Sequence, residues 1–72
     1  MSYHSVTCQH FICDAIKRNK GITRKQLREE VQLKGKQQQM EFRPSEIYEI
    51  TDYLTKHGIV RYSEEEGHVW QR

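Results

Sequence analysis

Nine lysines and arginines fall between residues 17 and 43 against three glutamates, Glu29, Glu30 and Glu41, so this stretch carries a formal charge of +6. Closely spaced cations suit one chemistry above others. They neutralise phosphates, and the counterions they displace supply most of a protein's affinity for DNA. The candidates are Lys17, Arg18, Lys20, Arg24, Lys25, Arg28, Lys34, Lys36 and Arg43. The plainer reading is a solvated face and a polar loop, which is what most charge runs are.

Other site chemistry is thinner. His4, Cys8, His10 and Cys13 cluster in sequence, and His4 and Cys8 share a helix face. No C-x-x-C or H-x-x-x-H pair accompanies them, so no metal site is expected. One cysteine-and-histidine combination does not make a nucleophile motif, and no glycine-rich phosphate loop is present. Neither catalysis nor a cofactor is expected. His57, beside Gly58, reads as a dipole partner at a helix C-terminus, and His68 as a residue of a hairpin.

Seventy-two residues, 35% apolar and 31% charged, give one domain with one small core. A core of that size supplies only about 3–5 kcal/mol, so self-association would add stability. No run reaches the roughly 20 apolar residues of a membrane span, and the basic-then-apolar layout of a secretory signal is missing. Two cysteines five apart would point about 140° apart on a helix, which suits reduced thiols and a cytoplasmic protein. The net charge of +2 hides a polarity. Residues 44–72 carry three basic against six acidic groups, opposite in sign to the 17–43 stretch.

The elements that must position these groups follow from periodicity and punctuation. Residues 1–5 read as a tail, with Ser5 capping a helix from about Val6 to Asn19 whose apolar stripe is Cys8, Phe11, Ile12, Ala15 and Ile16. Gly21 stops it, and Ile22 begins a short extended piece. Thr23 with Gln26 has capping-box spacing and opens a second helix, from Arg24 to about Val31. Residues 32–43, QLKGKQQQMEFR, read as a flexible basic loop because Gly35 sits between two lysines, with Met40 and Phe42 folding back on the core. Pro44 marks the start of a third helix, with Ser45 as an alternative cap, and Gly58 ends it. Ile47, Ile50 and Leu54 form its inner face, while Ser45, Tyr48, Glu49, Asp52 and Lys56 form its outer face. Two strand-like runs, 59–62 and 68–71, flank a turn holding Glu64, Glu65 and Glu66, as in an antiparallel hairpin.

In this order the chain resembles the winged helix-turn-helix family. Three places carry the resemblance: Gly21-Ile22-Thr23 with Leu27, the triplet Ile47, Ile50 and Leu54, and the passage from Leu54 to Arg61 out of the third helix. It spans roughly residues 6 to 71. The resemblance implies an α+β fold, a three-helix winged helix with a C-terminal β-hairpin wing. It also implies a small DNA-binding regulator whose third helix enters the major groove, where Tyr48 and Thr55 would touch bases. Two features depart from the family. The turn between the second and third helices is normally three or four residues, and here twelve intervene. Glu49 and Asp52 on the outer face, and the three glutamates of the wing, repel phosphates. The expected contact with double-stranded DNA therefore runs through the second helix and the basic loop.

The alternative is a protein-interaction or dimerisation adaptor on the same fold. Glu49 and Asp52 would then face a basic partner, with Tyr48, Tyr62 and Trp70 as aromatic anchors. Trp70 and Tyr62 also have a plainer use in closing the core. The charge polarity further permits a homodimer, basic half against acidic half.

Overall fold

The computed structural model describes residues 3–71. Three helices, α1 (Tyr3–Arg18), α2 (Arg24–Gln37) and α3 (Pro44–Lys56), precede the strands β1 (Val60–Ser63) and β2 (Gly67–Trp70). The strands pair antiparallel, from Val60 opposite Trp70 to Ser63 opposite Gly67. This is the α+β arrangement of a winged helix with a C-terminal wing. Ile22 forms an isolated antiparallel bridge to His68, so the short extended piece after α1 becomes a third rung beside the hairpin.

One core joins all the elements. Cys8, Ile12, Ala15 and Ile16 of α1 meet Leu27 and Val31 of α2, Ile47 and Leu54 of α3, and Val60 of β1. Ile22 and Phe42 close it from the connections, and Phe11, Met40, Ile50, Ile59 and Trp70 pack half-buried at its margin. The 3.6-residue period puts each helix's apolar residues on one side, and their burial supplies the driving force.

The helix limits depart from the sequence expectation at two places, the start of α1 and the end of α2. α1 begins at Tyr3, so residues 3–5 are helical rather than a tail, and Ser5 lies inside the first turns rather than at the cap; residues 1 and 2 lie outside the described residues. The extra turn is held by His4, whose Nε2 lies 2.7 Å from a Glu46 carboxylate oxygen and whose ring packs 4.8 Å from that of Phe42.

α2 runs to Gln37, so residues 32–37 are helix and only 38–43 connect α2 to α3. Gly35 is buried, not a hinge. A Cβ on it would stand 2.6 Å from Phe42 Cδ2 and 3.0 Å from the Met40 carbonyl oxygen, so the residue is small to admit the returning chain. Gln32 fastens the same chain by donating from Nε2 to the Phe42 carbonyl at 3.1 Å. The helix ends in a Schellman motif: Gln39 takes a left-handed φ of 60°, Met40 N–H donates to the Gly35 carbonyl at 2.7 Å, and Gln39 N–H donates to the Lys36 carbonyl at 3.0 Å.

α3 starts at Pro44 as expected, and its N-cap is Arg43 rather than the alternative, Ser45. The Glu46 carboxylate accepts from the Arg43 backbone N–H at 3.2 Å. α3 ends as α2 does, with Ile59 N–H on the Leu54 carbonyl, but here Gly58 supplies the left-handed residue, with φ 72°. At the other end of the wing, a Cβ on Gly67 would fall 2.2 Å from the Gly21 carbonyl oxygen. That close approach lets Gly21 N–H reach the His68 carbonyl at 3.0 Å and locks the wing to the end of α1.

Candidate nucleic-acid interface

The cations of the 17–43 stretch do not form one patch. Helix geometry divides all of them but Lys20 among three surroundings. On the side of α2 facing α1, the Lys34 ammonium reaches Asp14 at 3.3 Å, and Arg18, one turn beyond Asp14, reaches the same carboxylate oxygen at 3.2 Å. Both are committed to one acid. Lys17 lies 4.3 Å above the Trp70 ring, bringing the end of α1 onto the wing.

At the start of α2, Thr23 accepts from Gln26 N–H at 3.1 Å and Gln26 returns the bond to Thr23 N–H at 3.2 Å. This capping box aims Arg24 across α3. Its guanidinium lies over Tyr48, 4.3 Å from the ring centroid, and reaches Asp52 at 3.5 Å. Two groups expected to meet DNA, Arg24 and Tyr48, therefore meet each other. Asp52, one of the acids expected to repel it, is paired. Thr55, the other expected base contact, is half-buried, and its hydroxyl donates to the Thr51 carbonyl at 2.9 Å. The outer face of α3 is left with Glu49 and Lys56 exposed at its middle and end.

The third group lies along the other side of α2. Lys25, Arg28, Gln32 and Lys36 follow one another at spacings of three and four, so they share a stripe. Lys25 and Lys36 are exposed and Arg28 is half-buried. The buried Nε of Arg28 has no hydrogen-bond partner. Gln32 and Lys36 open onto a depression that Arg43 and Pro44 also line, which brings the cation at the start of α3 into the stripe. Glu29 and Glu41 are exposed acids at its margin. Lys20 stands apart, beside Gln26 and Glu30.

The wing is acidic at its tip, but not uniformly so. Arg61 pairs with Glu66 at 2.9 Å, while Glu64 and Glu65 stay exposed. Tyr62 is partly exposed and packs on His68, with ring centroids 4.5 Å apart. Trp70 is half-buried under Lys17, closing the core margin.

His68 departs from its sequence reading as an ordinary hairpin residue. It is 2% exposed, and its Nδ1 donates to the Ile22 carbonyl at 2.8 Å, the same oxygen that accepts its backbone N–H. Burial pushes its pKa below the ordinary imidazole value, against the opposing pull of the Ile22 carbonyl, with smaller influences from Arg24 and Asp52. A lone histidine at the start of a strand-like run carries no sequence signal of this role. Nor does any local pattern give the pairing of Arg24 with Tyr48 and Asp52.

The thiols are free. Cys8 is fully buried, and burial, assisted by the Glu46 charge, pushes its pKa to about 11. Burial also raises that of half-buried Cys13, opposed by Lys17. Glu46 shifts the other way, its carboxyl held low first by the Arg43 N–H and then by His4. Among the described residues, no three His, Cys, Asp or Glu side chains gather closely enough to hold a metal ion. Among the same residues, no helix is long and apolar enough to cross a membrane.

Comparison of the chain with protein-family models, with curated proteins and with solved structures returned no match.

Proposed function

We propose that this chain binds duplex DNA through the phosphate backbone, using the α2 stripe Lys25, Arg28 and Lys36 together with Arg43, and not by inserting α3 into the major groove. The observation that carries the reading is the stripe itself, which has no carboxylate partner in any ion pair among the described residues. From Lys25 to Lys36 it extends about 16 Å at 1.5 Å per residue, or about five base pairs at 3.4 Å each. The repulsion expected from the acidic groups is reduced in part by pairing, since Asp52 pairs with Arg24 and Glu66 with Arg61. Binding of this kind is weakly sequence-selective, because phosphate contacts position a protein without reading bases.

The test is fluorescence anisotropy with random duplex DNA across a salt series. Four phosphate contacts give a slope of log K against log salt of about −3 to −4. The double variant Lys25→Glu, Lys36→Glu is expected to bind at least about tenfold more weakly and with a shallower slope. Unchanged binding by that variant would remove the stripe from the interface.

One observation favours a second reading as a protein-interaction adaptor. Tyr48 lies under Arg24 and the Thr55 hydroxyl is spent on its own helix, so α3 has little left with which to read bases. Exposed Glu64 and Glu65 beside Tyr62 then form a rim for a basic partner. Absence of DNA binding even at low salt would select this reading.

A further inference from the structure

We propose that the face shared by α1 and α3 is a homodimer interface, occupied by a second copy of this chain across a two-fold axis. A groove of about 290 Å³ runs between these helices, lined by Ser5, Gln9, Glu46, Glu49, Ile50 and Tyr53. A second depression is lined by Val6, Gln9, His10 and Cys13. Gln9 borders both, so the two form one continuous surface. Val6 is 50% exposed and Tyr53 is 51% exposed on it, while Ile50 and Cys13 are only half-covered by the core.

The pattern of α1 supports a helical contact. Cys8, Ile12, Ala15 and Ile16 serve the chain's own core. Tyr3, Val6, His10, Cys13 and Lys17 form a second stripe at spacings of three and four, the pattern of a helix that packs against another helix. Of this stripe, Cys13 packs in part against the chain's own core and Lys17 rests on Trp70, while Tyr3, Val6 and His10 stay exposed.

Charge selects the occupant. One end of the face carries Glu46, engaged by His4, and Glu49, which has no ion-pair partner among the described residues. The other end carries Lys17. From Ser5, at the acidic end, to Lys17 is about 18 Å along α1. A two-fold axis through the middle brings each end of the face onto the opposite end of its copy, so Glu49 meets Lys17 of the second copy twice over. An apolar centre between ends of opposite charge is therefore complementary to itself. This contact is independent of the α2 stripe and does not depend on the DNA reading.

The experiment is sedimentation velocity on the full chain from low micromolar to submillimolar concentration, with circular dichroism to verify that each variant is folded. The wild-type mass is expected to rise from 8.7 kDa toward twice that value, and Tyr53→Glu to remain monomeric. Glu49→Lys and Lys17→Glu are each expected to remain monomeric alone, whereas an equimolar mixture of the two forms a heterodimer, since both cross-axis contacts again join opposite charges. Any of three results would overturn the proposal: a wild-type chain monomeric at every concentration, a dimer that survives Tyr53→Glu, or a mixture that does not associate. A second protein captured on this face with the wild type monomeric falls under the first.

Discussion

Arg24 lies over Tyr48, its guanidinium carbon 4.3 Å from the ring centroid, and in that position it also reaches Asp52. One side chain from the first turn of α2 thus engages two residues one turn apart on α3. It ties the two helices together at their surface and engages a cation, a tyrosine and an acid with one another.

A double-mutant cycle with Arg24→Ala and Tyr48→Ala should show the coupling. The pair is partly exposed, with 44% of the Arg24 side chain accessible, so the expected coupling is about 0.5–1 kcal/mol by urea unfolding. Additive single effects would mean that the stacking contributes nothing to stability.

Gly35→Ala separates a packed helix from a flexible loop. In a loop or an open helix, alanine would be neutral or stabilising by up to about 1 kcal/mol. Here its Cβ meets the Phe42 ring at 2.6 Å, so overpacking outweighs the helix gain and a net loss of about 1–2 kcal/mol is expected. Phe42→Leu in the same background should recover part of that loss.

Gln39→Gly is expected to stabilise the protein. The Schellman motif at the end of α2 requires a left-handed residue, and Gln39 occupies that position with φ 60°. A side chain there costs about 1 kcal/mol, offset in part by the greater chain entropy of glycine when unfolded. A rise in Tm of about 2–5 °C follows for a chain of this size. A fall in Tm would show that the Gln39 side chain makes a stabilising contact.

His68 makes stability depend on pH. Its folded pKa lies below the unfolded value of 6.5, so the unfolded chain binds the proton more readily. The neutral ring's contribution is complete above pH 6.5 and is lost as pH falls from there toward the folded pKa. Glu46 acts in a separate window: its folded pKa lies below the ordinary 4.5, so its contribution is lost only as pH falls below that value. Denaturation series from pH 8 to pH 5 on the wild type and His68→Gln should show a decline in the wild type that is smaller in the variant. Equal slopes would rule out His68 as the source.

The sequence by itself determined the elements that rest on local patterns. Thr23 with Gln26 fixed the start of α2, Pro44 and Gly58 bracketed α3, and the spacing of Ile47, Ile50 and Leu54 gave α3 its inner side. Two short strand-like runs around a glutamate-rich turn gave the wing. These signals act within a turn or two of helix or across one hairpin, so they need no knowledge of the rest of the chain. Tertiary structure decided what distant residues did to one another. Phe42 packing on Gly35 turned a glycine that reads as a break into the interior of α2, and the connection to α3 shortened from twelve residues to six. His4 meeting Glu46, forty-two positions away, extended α1 to Tyr3. Composition gives a cation count but no partners. Only the fold assigned Arg24 to Tyr48 and Asp52, and Lys34 to Asp14, and set Lys25, Arg28, Lys36 and Arg43 together, apart from Lys20. Pairing of charges depends on which helix faces lie together, and that is set by how the common core packs.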